Sequence, residues 1–108
     1  MAGPVGVRVP ADADGRSTLL PAFDPGGGGP VQIRYRIGPR AQVVWLSLFD
    51  ARGRLIWSSA PGLRAPGEHA LPWNRLDQFG TPAVRGAYFL HLKAGKANST
   101  RKLVLRSR

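Results

Sequence analysis

Seven consecutive residues, Val31-Gln32-Ile33-Arg34-Tyr35-Arg36-Ile37, alternate apolar and polar without a break. Side chains of an extended chain point to opposite faces in turn. The pattern therefore puts Val31, Ile33, Tyr35 and Ile37 on a dry face and Gln32, Arg34 and Arg36 on a wet one. A chain carrying this segment has to be built around a sheet with one buried face. The next apolar segment, residues 42–49, carries Val43, Val44, Trp45, Leu46, Leu48 and Phe49. It is apolar on both faces, which predicts a strand at the centre of a sheet. Nowhere does a helical period persist over three turns.

Turn signals divide the rest into short strands. Gly38-Pro39 marks a turn, and Asp50-Ala51-Arg52-Gly53 a hairpin with glycine where a positive φ costs least. Residues 54–58 are the return strand and residues 59–66 a loop. Further strands are predicted at 68–73, 87–93 and 99–106, the last two joined by Ala94-Gly95-Lys96-Ala97. Between Trp73 and Gly86 lies a polar turn built on Asn74, Asp77 and Gly80. The 14 glycines and 10 prolines fall in clusters, as punctuation between strands. Six to eight strands with turns every eight to twelve residues predict an all-β sandwich. Near the N-terminus Val5, Val7 and Val9 alternate as a short strand, and the glycines at 26–29 read as a hinge. The 108 residues are read as an arm and Gly/Pro-rich linker over 1–30, able to supply a first or a donor strand, and a sandwich over 31–108.

Chemistry is sparse. The absence of cysteine excludes disulfides and thiolate metal sites. His69 and His91 lack ligand spacing with Asp50, Glu68 or Asp77, so no metal site is expected. No nucleophile–base pattern, phosphate loop or cofactor motif is present, and neither catalysis nor a small-molecule substrate is expected. No apolar run approaches a membrane span, and residues 1–16 lack the basic and apolar regions of a leader. An extracellular role would require that a leader was removed or that the chain is a fragment. The net charge of +10, from 13 Arg and 3 Lys against 6 carboxylates, permits binding to an anionic polymer through Arg34, Arg36, Arg101 and Lys102. Their spread along the chain favours a merely solvated, Arg-rich surface. Trp45, Trp57, Trp73, Tyr35, Tyr88 and Phe89 could stack on single-stranded nucleic acid, but strand aromatics more often fill a core. Trp45 and Trp57 lie on the faces opposite Leu46 and Ile56, so at least one of them is expected to be exposed at an interface.

The parts, in order, resemble the immunoglobulin-like domain of the flagellar hook-capping protein (FlgD-like) and sorting-type C-terminal domains of secreted bacterial proteins. Pro21-Ala22-Phe23-Asp24-Pro25 resembles the proline-phenylalanine-asparagine-proline lead-in. Val31 to Ile37 resembles the first core strand, and Val44 to Gly53 the strand ending in an aspartate–glycine turn. Trp73-Asn74-Arg75, with Asp77 and Gly80, resembles a tryptophan-aspartate-glycine turn, with Asn74-Arg75 in place of aspartate-glycine. Gly86-Ala87-Tyr88-Phe89 and Thr100 to Leu105 resemble the closing strands. The resemblance implies an immunoglobulin-like antiparallel β-sandwich of about seven strands. Within it Trp73, Asp77, Gly80, Gly86 and Tyr88 form a structural signature.

The leading functional expectation is a non-enzymatic bacterial subunit, extracellular or on the cell surface, that assembles with copies of itself. Val5, Val7 and Val9 would add as a strand to a neighbour's sheet edge, an addition that can extend into a filament, or would pair within their own sandwich. Alternatives are a C-terminal secretion, sorting or anchoring module of a larger protein, and a basic module that binds an anionic polymer.

Overall fold

The alternating segment becomes strand β2 (Val31–Ile37), whose burial switches with every residue. In the computed structural model, which describes residues 16–106, β2 is the middle strand of a three-stranded sheet. Its neighbours are β1 (Thr18–Leu19) and β5 (Gly67–Trp73). The second sheet has the order β4-β3-β6-β7, with β3 (Gln42–Asp50), β4 (Leu55–Arg64), β6 (Gly86–Ala94) and β7 (Ala97–Leu105). Every pairing is antiparallel. Seven strands in two facing sheets form an immunoglobulin-like all-β sandwich. No helix among the described residues is long and apolar enough to cross a membrane.

The core lies between the sheets. Val31, Ile33, Tyr35, Ile37 and Trp73 come from one side, and Val44, Leu46, Leu48, Leu90, Leu92, Leu103 and Leu105 from the other. Each side chain buried this way contributes roughly 1.5–3 kcal/mol by leaving water. β3 is an interior strand, in keeping with its apolar composition on both faces. Leu19 joins the same core, so residues 18–20 of the lead-in belong to the sandwich.

Two segments differ from expectation. Residues 59–64, read as a loop, extend the edge strand β4. Val44 pairs with Gly62 and Leu46 with Ser59, so Ala60 and Pro61 together oppose Trp45. Such a bulge at a sheet edge accommodates a proline, because its missing N–H is not needed in the ladder. The glycines at 26–29, read as a hinge, close a turn instead. Gly29 N–H donates to the Gly26 carbonyl at 3.2 Å, and Gly26 N–H to Asp24 Oδ1 at 2.9 Å.

Candidate functional site

The turn after β5 is organised from its side chains outward. Trp73 is fully buried and donates from Nε1 to the Leu76 carbonyl at 2.9 Å. Asn74 Oδ1 accepts from Leu76 N–H at 3.2 Å. Asp77 Oδ1 accepts from the N–H groups of Phe79 (2.8 Å) and Thr81 (2.9 Å). Gly80 supplies φ = 86°, and its N–H closes on the Asp77 carbonyl at 3.1 Å. Gly86 opens β6. Two residues later, buried Tyr88 donates its hydroxyl to the Val84 carbonyl. A tyrosine tied to backbone a few residues upstream pins a corner of such sandwiches. Burial first, and then the Asp50 charge, push the Tyr88 hydroxyl pKa upward. All these polar groups are spent on backbone, so the turn shapes the fold.

Arg75 holds this turn to the lead-in. It is buried and has a positive φ of 67°, the conformation glycine adopts freely. Its Nε donates to the Gly29 carbonyl at 2.6 Å, and its Nη2 to Asp24 Oδ1. Burial disfavours the Asp24 carboxylate, but the Arg75 and Gly26 hydrogen bonds, the Arg75 charge and the Arg106 N–H outweigh it. The Asp24 carboxyl is therefore held below its ordinary pKa. Arg75 and Asp24 stand where the resemblance has glycine and asparagine. Two departures of opposite charge were the sequence signal for this pair, and reasoning position by position missed it.

Asp24 also marks one end of the β7 edge. β7 pairs with β6 over nine residues without a register shift. Ala94 and Ala97 close a two-residue loop, so they form a hydrogen-bonded pair. The phase then alternates, and the N–H groups of Thr100, Lys102 and Val104 point to the other side, the open edge. Arg106 N–H, in the same phase, lies beside the Asp24 carboxylate and helps to lower its pKa. Near the strand's start, Ser99 Oγ accepts from Leu19 N–H at 3.1 Å. Between these ends a groove of ≈ 410 Å³ follows the strand, bordered by Pro21, Ala22 and Asp24. Among the described residues β7 has no strand partner on this side. Arg16, the first described residue, lines a cavity with Ala97 and Asn98 at the start of β7. Val5, Val7 and Val9 lie outside the described residues.

The remaining candidates are dispersed. Arg34 and Arg36 face outward on β2, where Glu68 meets them at 3.3 and 3.8 Å. Arg101 and Lys102 lie on β7, in the other sheet. His69 stacks on Tyr35 with ring centroids 5.4 Å apart, while His91 lies between Thr100 and Asn98. No group of three metal-ligating side chains occurs among the described residues. Trp57 turns inward against Trp73 at 6.0 Å, whereas Trp45 stands 54% exposed on the outer face of β3.

The architecture defines a β-sandwich module of the immunoglobulin-like class, and its fold is FlgD-like. The chain is similar to the crystal structure of FlgD from P. aeruginosa, with a TM-score of 0.55 and 17% identity over 82% of this chain. It spans 64% of that chain's length, a little under two thirds. No protein-family model and no curated protein matches the sequence.

Proposed function

We propose that this protein is a non-catalytic, extracellular structural subunit that joins copies of itself by strand addition. The segment holding Val5, Val7 and Val9 is the donor, and the open edge of β7 in a neighbouring copy is the acceptor. The observation that carries this reading is the β7 edge itself: nine regular residues, no proline, and outward N–H groups at Thr100, Lys102 and Val104. An unpaired regular edge is a template for another extended chain. Main-chain hydrogen bonds supply affinity, and alternate valines fill pockets along the groove. The other long edge of the same sheet, β4, carries a bulge and Pro61 and is a poor acceptor. In support, Arg16, the first described residue, borders the same cavity as Ala97 and Asn98 at the start of β7, and each extended residue before it can span about 3.3 Å. Donation from one copy to the next is a heterologous contact and builds open chains when the rotation does not close.

Sizing chromatography with light scattering tests the proposal. The full chain should form concentration-dependent oligomers, and a chain lacking residues 1–10 should run as a folded monomer. An unaltered oligomer after that deletion would sink the exchange mechanism.

A further inference from the structure

The outer face of the β4-β3-β6-β7 sheet plays no part in strand addition, which uses the edge. Three of its cross-strand rows run from β3 across β6 to β7. They read Trp45–Lys93–Asn98, Ser47–His91–Thr100 and Phe49–Phe89–Lys102. Trp45 is 54% exposed and Phe89 39% exposed, and Lys93 and Lys102 are exposed beside them. Each exposed aromatic thus has a lysine directly opposite on the neighbouring strand. The two aromatic rows are four residues apart, about 13 Å along the strands.

This face is cationic and holds no described carboxylate. Asp24 is bound by Arg75, Asp50 caps the β3–β4 turn, Glu68 lies on the other sheet, and Asp77 holds its own turn. The charge complement of the face is an anion. In the middle row, His91 and Thr100 are already engaged. His91 Nδ1 meets Thr100 Oγ1 at 3.1 Å, and Nε2 meets Asn98 Oδ1 at 3.2 Å. A hydroxyl-rich glycan needs such groups free. Beside the exposed aliphatic side chains of Val43, Leu63 and Val104, the face leaves available aromatic surface and ammonium groups, which are the features that stack bases and neutralise phosphates.

We propose that this sheet face binds single-stranded nucleic acid without sequence specificity, with bases stacking on Trp45 and Phe89 and phosphates held by Lys93 and Lys102.

The test is fluorescence anisotropy with a labelled oligothymidylate of about 16 nucleotides, titrated with full-length protein at several salt concentrations. Trp45→Ala and Phe89→Ala should each weaken binding about tenfold, while Trp45→Phe should retain most of it. Lys93→Gln/Lys102→Gln should lower the salt slope by about 1.4. Arg34→Gln/Arg36→Gln removes the same charge from the opposite sheet and should leave affinity within about twofold. Binding should persist after deletion of residues 1–10, which separates this site from strand exchange. The proposal is overturned by any of three results. These are no binding at low salt, equal losses from the two charge-removing pairs, or an acidic polysaccharide that competes equally well and depends equally on Trp45.

Discussion

The two edges of the four-stranded sheet were built differently. β4 is interrupted where Ala60 and Pro61 crowd opposite Trp45, and its register shifts again near Phe49. β7 runs nine residues in unbroken register; near its start Ser99 Oγ accepts from Leu19 N–H, and just past its end Asp24 lies beside the Arg106 N–H. Bulges and prolines blunt an edge, while a regular edge invites a partner. The contrast teaches that, among the described residues, pairing is hindered on one side of the sheet and left open on the other, over a window that ends near the Arg75–Asp24 contact.

The largest expected effect comes from removing that limit. Arg75→Ala strands the Asp24 carboxylate and the Gly29 carbonyl, and should cost about 3 kcal/mol in a urea titration. Arg75→Gly should lose about 1 kcal/mol less, because glycine adopts φ = 67° without strain. Equal losses would show that the backbone at 75 is unstrained. Acid sharpens the same point. Asp24 has a lowered folded-state pKa, so its contribution is complete above the unfolded value near pH 4 and fades as pH falls through the folded value. The Arg75→Ala protein should show a shallower loss of stability below about pH 4.

Val104→Pro attacks the open edge. It removes an outward N–H without touching the β6 ladder, so it should change monomer stability by only about 1 kcal/mol while abolishing oligomers. An oligomer that survives would locate the contact elsewhere. Deleting Pro61 does the reverse and restores one-to-one pairing opposite Trp45. Light scattering should then detect a weaker association that persists without residues 1–10, because β4 has become a second template.

How legible these features were follows from the range of the forces involved. Alternation in residues 31–37 and the apolar faces of residues 42–49 report on local burial, and they gave β2 and β3 directly. The extension of β4 through Pro61 was missed, because proline in a loop and proline at an edge bulge look alike until the partner strand is known. The glycines at 26–29 read as a hinge, since the Arg75 side chain that closes on Gly29 comes from 46 residues away. The edge character of β7 is a property of sheet order, which no local pattern encodes. Arg34, Arg36, Arg101 and Lys102 are spread in sequence, but which sheet each pair lies on follows only from the strand order.

The most direct measurement is amide hydrogen exchange at Thr100, Lys102 and Val104 in the full chain and in the chain lacking residues 1–10. Strand exchange predicts slow exchange at these three sites that deepens with protein concentration and disappears on deletion. Protection independent of concentration would mean that the arm pairs within its own sandwich, and fast exchange throughout would mean that the β7 edge accepts no strand at all.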